Sequence, residues 1–235
     1  MIVGSGLLAR AFDSFKDDDR VLVFASGVSN SSTATEADYA REGNLLLAQI
    51  GTQARLTYFS TCSLFDPELK DSGYIRHKRR MEELIRTQFK NHTILRLPNV
   101  VGHTPNPHTL CNYIRDRILA GETINVHVKA CRYLMGVDRV SASCIPLLTD
   151  AFSRGKTLNV CYDQPVSVPD LVAVMEHILN KKAVIREVDS GSCYEVDNRE
   201  FKQHWLFKRH TPWPGADEWP RMLAKYYGDP MVSTG

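Results

Sequence analysis

MIVGSGLLA, residues 1–9, decides the reading of this chain, because a short β-branched run there leads into a glycine turn that opens a helical pattern. Strand, then Gly4-Ser5-Gly6-Leu7-Leu8-Ala9, then helix is the context that a dinucleotide-binding fingerprint requires. Gly4 permits the tight turn, Gly6 lets backbone approach a pyrophosphate, and Ala9 allows close packing of helix on strand, with Ser5, Leu7 and Leu8 completing the cradle. The same letters also describe a plain strand-to-helix turn, so the remainder of the chain has to choose between the two.

Working outward, apolar runs at 1–3, 21–25, 56–60, 93–96, 157–161 and 184–188 alternate with helical periodicity near 7–15, 36–50, 72–89, 109–120, 138–152 and 169–180. That alternation predicts an α/β fold, a Rossmann-like parallel sheet with helices on both faces. The chain is short between its first strand and the next, and its register changes after Asn99, where Pro105 and Pro107 mark longer loops. We therefore expect a shortened dinucleotide-binding region over 1–100 and a small substrate lobe over 101–235, interleaved with the last sheet strands. The tail carries Trp205, Trp213 and Trp219 and reads as irregular aromatic packing that ends in a helix near 218–227.

A complete fingerprint also wants an acid beyond the second strand to hold the adenosine ribose. Asp17, Asp18 and Asp19 stand before the run at 21–25, at the wrong end, and read as a solvated loop. Ser26 and Gly27 stand at the correct end and could line a cofactor cleft without gripping adenosine.

Tyr74-Ile75-Arg76-His77-Lys78 lies in a helical stretch whose spacing puts Tyr74 and Lys78 on one face. An ammonium beside a phenol favours the phenolate, which would make Tyr74 a usable acid or base at an alcohol or carbonyl. Just upstream, Ser60-Thr61-Cys62-Ser63 puts hydroxyls at the carboxyl end of a strand. In isolation the tyrosine and lysine are a solvated stripe in a basic run; the order of glycine turn, hydroxyl-rich strand end, YxxxK and Arg96-Leu97-Pro98-Asn99-Val100-Val101-Gly102 gives them a chemical reading.

Charge and composition narrow the partners. A formal charge of +2 over 235 residues, with acids and bases interspersed, argues against nucleic acid and anionic membranes. No apolar run approaches a membrane span. The six cysteines show neither CxxC nor zinc spacing and several, such as Cys144 and Cys161, sit in apolar runs, so we expect free buried thiols, no metal, and a cytoplasmic protein.

These motifs, in this order, resemble the extended short-chain dehydrogenase/reductase family, whose members include nucleotide-sugar epimerases, dehydratases and reductases. The resemblance implies NAD or NADP as cofactor, held at Gly4, Ser5, Gly6, Leu7, Leu8, Ser26, Gly27, Ser60, Lys78 and Pro98. It implies that Thr61 hydrogen-bonds the reacting sugar oxygen, that Tyr74 exchanges its proton, and that Lys78 tunes Tyr74 and holds the nicotinamide ribose. Cys62, Ser63 and Asn99 would face the nucleotide sugar. Arg132-Tyr133-Leu134-Met135-Gly136-Val137-Asp138 is similar to the family segment whose arginine grips the diphosphate, which assigns that role to Arg132.

The departures matter as well. The segment that carries two strands of the family sheet is missing after the first helix, and with it much of the adenosine pocket. Cys62 and Ser63 stand where the sugar 4,6-dehydratases carry Asp and Glu, which disfavours dehydration. The leading reading is an NAD(P)-dependent reductase or epimerase of a nucleotide-activated sugar, with weakened cofactor retention tilting it toward a reductase. The rival is a non-catalytic relative that still binds the sugar nucleotide. Relatives pair through the YxxxK helix and the one before it, so a homodimer is expected.

Overall fold

The computed structural model of the chain describes residues 1–29, 33–209, 213, 215 and 217–228. In chain order its strands are β1 (Ile2–Val3), β2 (Val21–Phe24), β3 (Arg55–Thr61), β4 (His92–Leu97), β5 (Asn99–Val101), β6 (Thr123–His127), β7 (Cys131–Arg132), β8 (Leu134–Gly136), β9 (Thr157–Asn159), β10 (Val166–Ser167) and β11 (Val184–Val188). The helices are α1 (Leu7–Ala11), α2 (Glu36–Leu47), α3 (Gly73–Gln88), α4 (Leu110–Ala120), α5 (Val137–Thr149), α6 (Val168–Leu179), α7 (Arg199–Arg209) and α8 (Glu218–Tyr227).

Five strands form one parallel sheet in the order β1-β2-β3-β4-β9. Its strands alternate between two apolar layers, as the two-residue side-chain period requires when both faces are covered. Val21, Val23, Phe59, Leu95 and Leu97 pack with Phe12, Val140, Leu147 and Phe201 under α1, α5 and α7. Leu22, Phe24, Leu56, Tyr58 and Ile94 pack with Leu46, Met81 and Ile85 under α2 and α3. The fold is thus the expected α/β arrangement, and successive strands lie side by side from β1 onward because no strand intervenes between β1 and β2.

A second core gathers α4, α6 and α8 over β6 and β8 through Ile114, Ile118, Ile124, Leu134, Leu171, Met175 and Leu223. Three small pairings belong to the later chain: β5 with β8 and β6 with β11 run parallel, and β7 with β10 antiparallel. The run at 184–188, expected among the parallel strands of the main sheet, pairs with β6 alone. The first helix is shorter than its pattern suggests: α1 ends at Phe12, whose φ of −113° and ψ of 19° break the helix before a 3-10 turn at Asp13–Phe15. Helix α7, unmarked in the sequence reading, buries Phe201 and Trp205 against the sheet.

The cysteine reading needs a correction. Cys62, Cys111, Cys144 and Cys161 are free and buried, whereas Cys131 and Cys193 form a disulfide. The backbone explains the pairing: the Cys131 N–H donates to Ser192 O at 3.1 Å, and Gly191, with φ of +104°, packs directly on Ala130. A sequence separation of 62 conceals this contact. Among the described residues no helix is long and apolar enough to cross a membrane.

Candidate functional site

The glycine turn lies at the carboxyl end of β1. Gly4 has φ of +127°, and a Cβ there would come within 2.6 Å of the Ala25 carbonyl oxygen, so only glycine allows β1 and the end of β2 to run this close. Gly6 is different: a Cβ on it would meet no atom within 4 Å, and the turn is exposed. That open backbone fits the pyrophosphate of a dinucleotide. Leu7 reaches Gly102 beyond β5, and the Ser5 carbonyl accepts weakly from Arg10 at 3.4 Å. Leu8 turns into the core under α1. The sheet ends at β1 among the described residues, so the side on which an adenosine pocket would be built has no strand.

Beyond β2, Ser26 accepts at its hydroxyl from Arg41 at 3.0 Å, and Gly27 abuts the Lys78 ammonium so closely that a Cβ would come 2.9 Å from Nζ. The loop after β2 thus links the glycine turn to helix α3. That helix starts at Ser72, whose hydroxyl accepts from the Ile75 amide at 3.2 Å, and it buries Tyr74, Ile75, His77, Lys78, Met81, Glu82 and Ile85 on one stripe.

At the end of β3 the Thr61 side chain stands beside the Tyr74 phenol and bears on its ionisation. Thr61 also accepts from the Ser63 amide at 3.0 Å, capping the 3-10 turn Cys62–Phe65. Burial pushes the Tyr74 phenol up to about 12, with Thr61 opposing and the Glu42 carboxylate adding to the rise. This reverses the expectation of a phenolate favoured by Lys78. The lysine ammonium is 5.9 Å from the Tyr74 ring centre, and it is engaged by Glu42 Oε1 at 3.0 Å, Glu42 Oε2 at 3.3 Å and the Tyr58 hydroxyl at 3.1 Å.

Glu42 is the residue that the sequence reading missed. It is fully buried and also accepts from Tyr58 at 2.5 Å and from the Val28 amide at 2.6 Å, with His77 Nε2 at 2.9 Å. Burial works against its charge, yet Lys78 and the bonds from His77, Tyr58 and Val28 bring its pKa down to about 2. The available signal was its place four residues before Leu46, on the buried stripe of α2. Glu82, four residues after Lys78, carried the same kind of signal.

Several expected ligand residues are turned toward protein partners. Ser60 donates to Glu82 at 2.7 Å, and Arg96 grips the same carboxylate with two bonds of 2.8 and 2.7 Å. Cys62 is buried beside Cys161, with its thiol on the Arg96 carbonyl at 3.3 Å, because the capped turn after Thr61 points it inward. It therefore lines no open cleft, contrary to its expected place against a substrate. Arg132 donates to its neighbour Cys131 O at 2.7 Å and lies 3.5 Å from buried Asp66, so a diphosphate there would compete with a carboxylate. The Asn99 amide donates to the Tyr133 carbonyl at 3.1 Å, while Pro98 and Ser63 are half-buried.

No family model matches this sequence, and no curated protein matches it either. Solved structures do. The chain is similar to UDP-glucose 4-epimerase of Thermus thermophilus in complex with NAD, at 16% identity and TM-score 0.68 over 94% of this chain and 80% of that one. It is similar to dTDP-glucose 4,6-dehydratase of Bacillus anthracis in complex with NAD, at 15% identity and TM-score 0.71 over 96% and 78%. It is also similar to UDP-glucuronic acid 4-epimerase of Bacillus cereus in complex with UDP-glucuronic acid and NAD, at 17% identity and TM-score 0.69 over 92% and 77%. The architecture of this chain is therefore the Rossmann-like α/β fold of these epimerase and dehydratase structures, with a five-stranded parallel sheet that ends at β1 among the described residues.

Proposed function

We propose that the chain is an NAD(P)-dependent oxidoreductase of a nucleotide-activated sugar, working in the direction of carbonyl reduction. The observation that carries this reading is the juxtaposition of Thr61 and Tyr74 at the carboxyl end of β3, two strands from the open Gly6 turn on the same end of the sheet. A bound NAD(P)H would supply hydride to the carbonyl carbon. Gly4 and Gly6 would admit its pyrophosphate, and Gly27 and Lys78 would border its nicotinamide half.

The charge state of Tyr74 supports reduction over oxidation. A phenol near 12 is protonated at neutral pH. The oxyanion that hydride addition leaves on a sugar carbonyl carbon is more basic than a phenolate, so Tyr74 would pass its proton to the new hydroxyl while Thr61 holds the oxygen. Removing a proton from an alcohol would first require the phenolate, which burial disfavours. An epimerase needs both half-reactions and a firmly held cofactor; the protonated phenol and a sheet that ends at β1 among the described residues both tell against it.

A purified Tyr74→Phe variant, assayed by NAD(P)H consumption with keto-sugar nucleotides, is expected to lose a factor of about 10² to 10⁴ in kcat/KM while retaining cofactor affinity. Unchanged turnover would overturn the assignment. The engagement of Lys78 by Glu42 favours a second reading, a sugar-nucleotide-binding relative without hydride chemistry. Its signature is a thermal shift with nucleotide sugars and no turnover of any of them.

A further inference from the structure

The buried cluster around Glu42 has a part in this site that the tyrosine-lysine pair alone does not explain. Its carboxylate receives bonds from two elements and one loop: Tyr58 on β3, His77 and Lys78 on α3, and the Val28 amide after β2. Tyr58 donates its own proton to Glu42, which leaves an oxygen lone pair to accept from Lys78 at 3.1 Å. With acceptors at 3.0, 3.1 and 3.3 Å, the three donors of the ammonium are all engaged. The cluster closes directly on the loop, since a Cβ on Gly27 would lie 2.9 Å from Nζ and 3.2 Å from Oε1.

We propose that Glu42 is a positioning residue of this site: its single buried carboxylate locks Lys78, Tyr58 and the loop after β2 into one arrangement and withholds the ammonium from Tyr74. The catalytic consequence rests on the reductase reading; the clamp itself does not. A buried ion pair is poor value for stability alone, because apolar groups of the same volume commonly serve as well. What it supplies is placement. The groups facing Tyr74 and Lys78 are Tyr39, Arg41 and Glu42 from α2, Tyr58 and Thr61 from β3, and His77 and Glu82 from α3. Among the charged groups of this set the carboxylate of Glu42 is the one that pairs with the ammonium. The raised pKa of Tyr74 agrees with a lysine whose charge is cancelled at close range.

The test reads Tyr74 and the loop, without using turnover. In Glu42→Gln the ammonium loses its counter-charge, and the titration midpoint of Tyr74, followed by NMR of ring-labelled tyrosine and assigned with Tyr74→Phe, is expected to fall by about one unit or more. Glu42→Asp should restore most of the shift. An unmoved midpoint in folded Glu42→Gln overturns the proposal. Because that variant strands a buried ammonium and can fail to fold, the double variant Glu42→Leu with Lys78→Met provides a second arm. In it the Val28 amide loses its acceptor and should exchange with solvent about tenfold faster or more; unchanged protection there also overturns the clamp. If wild-type protein shows no reduction while both readouts move, the clamp stands and the reductase reading falls. If wild-type protein reduces its substrate and neither readout moves, the clamp falls alone.

Discussion

Gly4 and Gly6 stand two residues apart and answer to opposite demands. At Gly4 a methyl group would strike the Ala25 carbonyl at 2.6 Å with the backbone at a φ of +127°, so Gly4→Ala should lower unfolding free energy by about 1–3 kcal/mol in urea denaturation. At Gly6 the methyl group meets only open space. Gly6→Ala should therefore stay within about 1 kcal/mol of wild type, yet weaken NADH binding about tenfold or more in calorimetry, a loss of roughly 1.4 kcal/mol. Equal NADH affinity in Gly6→Ala would place the dinucleotide elsewhere. Both glycines were legible because turn chemistry is local. Tyr74 and Lys78 were legible as a pair for the same reason, whereas the charge that each would carry was not: it depends on Glu42, which arrives from another helix.

At the scale of elements, α2 and α3 each press a carboxylate into the interface with the sheet. Glu42 is brought to about 2 from 4.5, burial opposing and Lys78 with its hydrogen-bonding neighbours prevailing. Glu82 is also lowered, burial again opposing and Arg96, Ser60 and Arg86 prevailing. A carboxyl whose folded pKa is depressed stabilises the fold above its unfolded pKa and loses that contribution as pH falls through the folded value. Stability should hold level from pH 7 to about 4.5 and then decline toward about pH 2, with Glu42 accounting for roughly 3 kcal/mol. Urea midpoints followed by circular dichroism across this range check it; a midpoint that stays level to the acid end contradicts it. Apart from α7, the helices were readable from their 3.6-residue stripes, whereas the buried carboxylates on those stripes were missed because their partners lie on other elements. The short strands β5, β7, β8 and β10 escaped notice because two or three residues carry too little pattern.

At the scale of the whole molecule, the sheet ends at β1 among the described residues, so no strand stands on the far side of the glycine turn. Under the reductase reading the adenosine half then contributes little, and reduced nicotinamide mononucleotide should bind within about tenfold of NADH, a difference of roughly 1.4 kcal/mol. Equilibrium dialysis with the two compounds decides this; a preference of several hundredfold for NADH would mean that adenosine is gripped by a surface outside the sheet.

Strand and helix periodicity, the glycine turn and the order of the later motifs determined the parallel α/β architecture and its shortened start, since each of these is a local property of neighbouring residues. Only the folded chain decided that Glu42 meets Lys78 across 36 positions, that Arg132 lies by Asp66, and that Cys131 bonds to Cys193. Those outcomes depend on which buried charges and thiols are brought within a few ångströms of one another, and side chains far apart along the chain share no periodicity that could announce the encounter.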